Sequence, residues 1–239
     1  MNNRRTLIAA IVGGALLLGA AGLGIIYFVV FAGSSPQKLA LSSPTPSTSA
    51  STSPDSSTGA GTWTVGSGSQ AGYRVREKLA ALSAPSDAVG RTTAVTGTLT
   101  LTQAASGYSV TAADITVDVT KLSSDQSRRD QRIHSQGLQS DRYPTATFTL
   151  TSPIALAADA GNGQTIHLSA TGDLTIHGVT KSVTIPIDAR LTGSTIELVG
   201  SISFPFSQFG MTPPSIGGFV SVQNTATMEF QLLLTRQGA

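Results

Sequence analysis

The 239-residue chain has 15 Lys and Arg against 13 Asp and Glu, and its formal net charge of +2 gives no reason to expect a nucleic-acid partner. The absence of cysteine excludes a disulfide framework, a thiol nucleophile, a Cys-ligated zinc site and a lipid-modified N-terminal cysteine. Composition changes twice along the chain and predicts three regions, residues 1–33, 34–61 and 62–236.

The first region, 1–33, is predicted to be a cytoplasmic N-terminus and a transmembrane signal anchor. Residues 6–33 contain no charged side chain, and such a run is long enough to cross a bilayer core of roughly 30 Å. A cleaved signal peptide is the alternative, but its apolar core is usually only about 7–15 residues long. Because Arg4 and Arg5 precede the run, the positive-inside rule predicts a single-pass protein of the cell membrane with an extracytoplasmic C-terminal domain.

The second region, 34–61, is predicted to be a flexible and disordered spacer. It consists mostly of Ser, Thr, Pro, Gly and Ala, and it has too few large apolar side chains to offset the entropy lost on folding. An O-glycosylated stalk is the alternative reading of the same composition.

The third region, 62–236, has the period of two that is typical of half-buried antiparallel strands. Apolar side chains alternate with threonines in stretches such as VTGTLTLT (95–102) and TATFTLT (145–151). About eight such stretches follow one another with short links, which predicts an all-β, antiparallel up-and-down barrel or a sandwich. A change of phase between Val110 and Ile115 predicts a bulge near Ala112–Ala113.

One segment breaks the strand pattern and predicts a single short helix over about 124–135. Ser123 and Gln126 have the spacing of a capping box, Asp125 and Arg129 can pair at i,i+4, and Gly137 is a stop signal. Arg128, Arg129, Arg132 and His134 form the one basic cluster. It is either a solvated helix face with local ion pairs or a cationic lip that meets an anionic head group.

The strand phase argues against catalysis and against a metal site. His177 adjoins Gly178 at a turn signal, and His167 also falls out of phase with the apolar side chains, so both are predicted on the surface. The carboxylates fall on the outward phase as well: Asp114, Asp118, Asp173, Asp188, Glu197 and Glu229. No nucleophile elbow, phosphate loop or dinucleotide fingerprint occurs, so we expect no enzyme activity, no metal and no cofactor.

Small residues in the inward phase predict room inside the barrel. These are Gly97, Ala112, Ala170, Gly172, Gly200 and Ala226. An eight-stranded barrel is just wide enough to be filled by side chains or to hold one small ligand, and both outcomes fit the pattern. Asn224 is the polar exception in the inward set, paired to backbone or facing a ligand.

Three stretches together resemble the YceI-like family of lipid-binding proteins. They are GDLTIHGVTKSVTIPI (172–187), RRDQRIHSQGLQSDRYPTATFTL (128–150) and SFPFSQFGM (203–211). The resemblance covers roughly Thr62 to Arg236. This chain departs from the family pattern at two places. It has Leu138–Gln139 where the family has an aromatic pair, and it has Lys78 or a neighbour where the family has a histidine.

The resemblance implies a lipocalin-like barrel that binds a polyisoprenoid or another long amphiphilic lipid, here beside the membrane. The alternative is a non-catalytic structural or envelope-interaction domain with a filled core. The predicted ligand-binding residues are the inward positions and one arginine nearer the mouth: Tyr73, Val75, Leu99, Val117, Arg129, Phe148, Leu150, Ile176, Ile185, Leu198, Phe204, Asn224 and Phe230.

Overall fold

The computed structural model describes residues 35–43, 59–79, 86–105, 107–157, 159–216 and 220–237. The fold below belongs to the unit that begins at Gln37. Its strands are β1 (Gly61–Val65), β2 (Gln70–Leu79), β3 (Ser86–Thr92), β4 (Val95–Ala104), β5 (Gly107–Asp118), β6 (Thr145–Leu150), β7 (Ile154–Ala157), β8 (Ile166–Ile176), β9 (Val179–Thr192), β10 (Thr195–Phe204), β11 (Ser215–Ile216) and β12 (Val220–Arg236).

Eight of these strands close into an antiparallel barrel, which confirms the predicted fold class. The ring runs β1-β4-β5-β6-β8-β9-β10-β12 and closes where Trp63 of β1 pairs with Arg236 of β12. Since β12 is 17 residues long, its part from Val220 to Gln231 also pairs with β2, which carries β3 beyond the ring. The short strands β7 and β11 attach to β5 and β12.

The alternating sequence explains the closure, because each strand turns its apolar phase inward and its threonines outward. Two apolar clusters fill the interior. The first surrounds Phe209, which is fully buried, and includes Ile185 and Phe204. The second surrounds Leu234, which is also fully buried, and includes Trp63 and Leu99.

The bulge in β5 lies one to two residues before the predicted position. Val110 and Ala112 face the adjacent residues Leu101 and Thr100 of β4, so Thr111 is the extra residue. The prediction that Ala112 points inward is therefore wrong: Ala112 is exposed, and Ala113 takes the inward position. One unpaired residue reverses the phase of all that follow it.

The predicted helix is shorter than expected. Helix α1 covers only Ser127–Arg132 and continues as a π-helical turn over Ile133–Gly137. Gln126 is its N-cap residue, without a side-chain cap bond, so the predicted capping box is absent. Ser124 instead bonds to Asp130, with 2.6 Å between Ser124 Oγ and Asp130 Oδ1. The predicted Asp125–Arg129 ion pair forms.

The two N-terminal regions are described only in part. The predicted span at 6–33 lies outside the described residues, and within the described ones no helix is long and apolar enough to cross a membrane. In the predicted free spacer, residues 37–42 are hydrogen-bonded to the barrel wall. This part of the prediction is wrong, because main-chain groups find partners on the wall even where side chains are small.

Candidate ligand cavity

An apolar cavity of about 110 Å³ lies inside the barrel. Its walls come from both apolar clusters, for example Leu174 and Ile185 from the first and Leu99 and Leu232 from the second. Among the described residues that line it, Thr147 is the only polar one. A surface of this kind recognises a guest by shape and apolar area, since it presents almost no hydrogen-bonding group.

Seven of the predicted ligand-binding residues line this cavity: Leu99, Val117, Phe148, Leu150, Ile185, Leu198 and Phe230. They come from six different strands, so closure of the barrel is what brings them together. Four others, Tyr73, Val75, Ile176 and Phe204, pack in the first apolar cluster without lining the cavity. Their roles toward a ligand stay predictions.

Asn224 and Arg129 do not occupy the predicted places. Asn224 is exposed, because the pairing of β12 with β2 shifts register between Val222 and Ala226 and takes it out of the inward phase. Arg129 forms a two-pronged ion pair with Glu77, with 3.3 Å from Nε to Oε1 and 3.2 Å from Nη2 to Oε2. It also pairs with Asp125. The ion-pair reading of the basic cluster thus holds at Arg129.

Tyr73 has an unusual hydroxyl. Burial raises the pKa of Tyr73 well above its ordinary value, although the nearby Arg129 cation acts in the opposite direction. By hydrogen-bond geometry no partner for this buried oxygen is found among the described residues, although the Ser124 side chain lies near enough to act in the direction that lowers the pKa. Leaving a buried hydroxyl unpaired costs about 1–3 kcal/mol, so the Tyr73 hydroxyl is a candidate donor for a polar group of a ligand.

The glycines of the inward phase do not leave empty space. The Phe148 ring lies over Gly172, where an added Cβ would be 2.5 Å from Phe148 Cζ. The Phe230 ring lies over Gly200 in the same way, also at 2.5 Å. The inference from missing bulk is therefore wrong at these two positions. Both rings nevertheless border the cavity.

His167 on β8 and His177 in the turn that follows it both contact residues close by in the fold. His177 and Gly178 have φ of 53° and 72° and form a two-residue turn between the paired residues Ile176 and Val179, which is the geometry of a type I′ hairpin. The turn is as predicted, but His177 is half-buried, with its ring centroid 4.5 Å from that of Tyr143. His167 is exposed, with Nδ1 2.6 Å from Asp188 Oδ1.

In the part of the chain that the structure describes, no three His, Asp or Glu side chains come close enough to hold a metal ion.

Two carboxylates of the outward phase are buried, although the strand pattern predicts them on the surface. Glu197 and Glu229 are only 4% and 3% exposed, because arginines from other strands of the sheet cover them. Arg190 Nη2 lies 3.1 Å from Glu197, and Arg91 Nη2 lies 2.8 Å from Glu229.

Several cavity residues were missed as ligand contacts. Leu168, Ala170, Leu174 and Met228 all belong to the inward phase, so the alternation itself contained the signal. Ala113 was missed because the bulge in β5 was predicted one to two residues too late, which assigned the inward position to Ala112.

Comparisons with known proteins identify the family. The model of the YceI-like domain matches residues 63–234. The chain is 42% identical over 82 residues to a UPF0312 protein of Vibrio campbellii, and 37% identical over 81 residues to Protein YceI of Escherichia coli O17:K52:H18. Each match covers 34% of this chain, and it spans only 39% and 37% of the relative's own length.

A solved structure with the same fold is a polyisoprenoid binding domain from Saccharophagus degradans implicated in plant cell wall breakdown. It superposes with a TM-score of 0.55 at 13% identity and covers 74% of this chain and 99% of that one. At this identity the likeness concerns the fold alone. The family model, in contrast, matches well over half of the sequence, and the chain therefore belongs to the YceI-like domain family.

Proposed function

We propose that the chain binds a polyisoprenoid or another long-chain amphiphilic lipid inside its barrel, and that it does so tethered to the outer side of a membrane. The observation that carries this proposal is the cavity, whose lining in the described part of the chain consists of apolar side chains and Thr147. Each methylene that moves from water into such a surrounding contributes about 0.8 kcal/mol.

The volume of the cavity sets a condition on this function. At roughly 30 Å³ for each heavy-atom group, as for water in the liquid, about 110 Å³ holds some four carbons. That is less than one five-carbon isoprene unit. A micromolar dissociation constant corresponds to about 8 kcal/mol, or roughly ten buried methylenes. A lipid therefore has to displace side chains. We propose that the rings of Phe148 and Phe230, which border the cavity, are the ones that move.

The similar fold of a polyisoprenoid binding domain supports the ligand class. The likeness at 13% identity does not carry the ligand over by itself, and the curated relatives match over only about two fifths of their length. The apolar lining agrees with such a ligand independently. Tyr73, with its unpartnered hydroxyl, is the residue we propose for a polar head group.

The tether and the location rest on the sequence. Residues 6–33 are uncharged and follow Arg4 and Arg5, which favours a span with the barrel on the extracytoplasmic side. A barrel in this place can collect an amphiphile from the bilayer. No catalytic role is part of the proposal; turnover of ester or phosphate substrates by the purified chain would contradict it.

A non-catalytic structural domain is the second candidate. It is favoured by the way in which Phe148 and Phe230 cover Gly172 and Gly200, since these contacts fill much of the interior. In that case the outer face, with its threonines, would make the functional contacts.

One experiment separates the two candidates. The full chain is expressed in a lipid-containing host, purified, and analysed by native mass spectrometry followed by solvent extraction. We expect a discrete added mass that is released as one prenyl or acyl species. The Phe148→Arg variant should lose this species and the matched Thr149→Arg variant, at an exposed position, should keep it.

Circular dichroism of both variants shows whether the barrel is intact. If Phe148→Arg unfolds, Ala113→Leu replaces it as the cavity variant. A wild-type chain that stays free of lipid even after incubation with prenyl alcohols would contradict lipid binding and favour the structural domain.

A further inference from the structure

Residues 37–42 form an extended segment on the outside of the barrel, here called the strap. Its main chain is held by side chains of the wall. Arg91 Nη2 donates to the carbonyl of Gln37, and Gln231 Nε2 donates to the carbonyl of Ala40 at 3.2 Å. Recognition through carbonyl and amide groups fixes the path of the chain rather than its side chains.

The end of the strap is held by a buried carboxylate. Glu197 Oε1 accepts hydrogen bonds from the Ser42 amide and the Ser42 hydroxyl, both at 2.9 Å. Arg190 Nη2 donates both to the carbonyl of Ser42 and, at 3.1 Å, to Glu197 Oε2. Gln231 Nε2 completes the arrangement at 2.7 Å from Glu197 Oε1. Bonds to a charged group are roughly twice as strong as neutral ones.

These contacts run across the strands. Arg91 lies on β3, Gln231 on β12, Glu197 on β10 and Arg190 on β9, and these strands follow one another as β3-β2-β12-β10-β9. Four inter-strand spacings of about 4.8 Å make roughly 19 Å. The five steps from Gln37 to Ser42, at about 3.4 Å each, make roughly 17 Å. The strap is therefore nearly straight and crosses five strands.

The crossed strands β2, β12, β10 and β9 also contribute side chains to the wall of the cavity. Gln231 lies between Phe230 and Leu232, and Glu197 precedes Leu198; all three apolar side chains line the cavity on the opposite face. A polyisoprenoid needs more space than about 110 Å³, so this wall must change its curvature or its packing when a lipid enters. The strap joins these strands from outside and therefore resists such a change.

We propose that the strap is a built-in restraint on the barrel: docked, it holds the β3-β2-β12-β10-β9 wall in its narrow form, and when it is released, the wall yields and admits the lipid chain. The part that concerns lipid entry rests on the proposed function. The part that concerns the wall does not, because it follows from the contacts of Glu197, Gln231 and Arg190 with the strap.

The test uses the full chain in phosphatidylcholine nanodiscs and a matched pair of serines. Ser42→Ala removes the hydroxyl bond to Glu197, and Ser42→Pro also removes the amide donor. Ser43→Ala changes the neighbouring exposed serine and is the control. All three changes lie outside the barrel strands, so we expect each variant to fold as the wild type does. Hydrogen exchange is measured over the strap and over β10 and β12, and the uptake of farnesol is followed by the fluorescence of Trp63.

We expect Ser42→Ala to speed exchange of the amide at position 42 about tenfold, as loss of one charge-assisted hydrogen bond does. Ser42→Pro has no amide at this position, so its effect is measured in β10 and β12, where it should exceed that of Ser42→Ala. Exchange in β10 and β12 and the association rate of farnesol should rise in both variants, while Ser43→Ala matches the wild type. Strap exchange in the wild type at the rate of an unstructured chain would overturn docking.

Faster strap exchange with unchanged β10 and β12 would overturn the restraint. If the wall responds and farnesol binds to no variant and not to the wild type, the proposed function fails and the restraint stands.

Discussion

Replacing Ala113 with leucine tests the cavity directly, because the new side chain points into it. Ala113 lines the cavity from β5 opposite Leu99. Leucine adds three carbons, and the cavity of about 110 Å³ has room for some four. Its neighbour Ala112 is exposed on the other face of the same strand, so Ala112→Leu is a matched control.

The same substitution should have opposite effects on stability and on binding. Three buried carbons at about 0.8 kcal/mol each raise the free energy of unfolding by about 2 kcal/mol if they enter free space. A lipid that uses this space loses the same contacts. At 1.4 kcal/mol for each factor of ten, its dissociation constant rises about 30-fold.

The assays are urea denaturation, compared at constant slope, and titration with farnesol followed by Trp63 fluorescence. We expect Ala113→Leu to unfold at higher urea and to bind farnesol about 30-fold more weakly, and Ala112→Leu to change neither. A stability loss of about 1–3 kcal/mol, as in overpacked cores, would show that the space is not usable. Higher stability with unchanged affinity would place the ligand elsewhere.

Three further outcomes follow from single contacts. In Gly200→Ala the new Cβ would lie 2.5 Å from Phe230 Cζ and 2.9 Å from the Pro186 carbonyl oxygen; we expect a loss of about 1–3 kcal/mol in thermal or urea unfolding, and wild-type stability would contradict the packing. Burial raises the pKa of Glu197, but hydrogen bonds from Gln231, Ser42 and Arg190 outweigh it and hold the pKa below its ordinary value. The stabilisation is therefore present at neutral pH and is lost as the pH falls below about 4, and Glu197→Gln should flatten this part of the curve of unfolding free energy against pH. Tyr73→Phe removes an unpartnered buried hydroxyl, so stability should stay level or rise by up to about 2 kcal/mol, while calorimetry should show weaker binding of a prenyl alcohol; a large loss of stability would mean that the hydroxyl has a partner.

The barrel could be read from the sequence because its signals are local. The period of two in stretches such as 95–102 and 145–151 fixes which side chains share a face, and the pair His177–Gly178 sets a two-residue turn through backbone preferences alone. Seven of the predicted ligand-binding residues reach the cavity for the same reason. The resemblance to the YceI-like family added the expectation of a lipid ligand, which no periodicity supplies.

The remaining features depend on residues that are distant in the sequence. Whether Ala112 or Ala113 faces inward depends on one unpaired residue in the register with β4, and neither choice changes local propensity. The room at Gly172 and Gly200 is taken by rings from adjacent strands, which a single strand does not reveal. Arg129, placed by sequence near a ligand, is neutralised by Glu77, 52 residues away.

The sequence by itself determined most of the strands, most of their faces and the hairpin between β8 and β9, since these follow from the conformations that each short stretch prefers. Only the tertiary structure decided that Glu197 is buried and that the strap lies on the wall. Ser42 and Glu197 are 155 residues apart. A carboxylate on the polar phase is buried only when arginine, amide and main-chain donors arrive from other parts of the chain to replace its water.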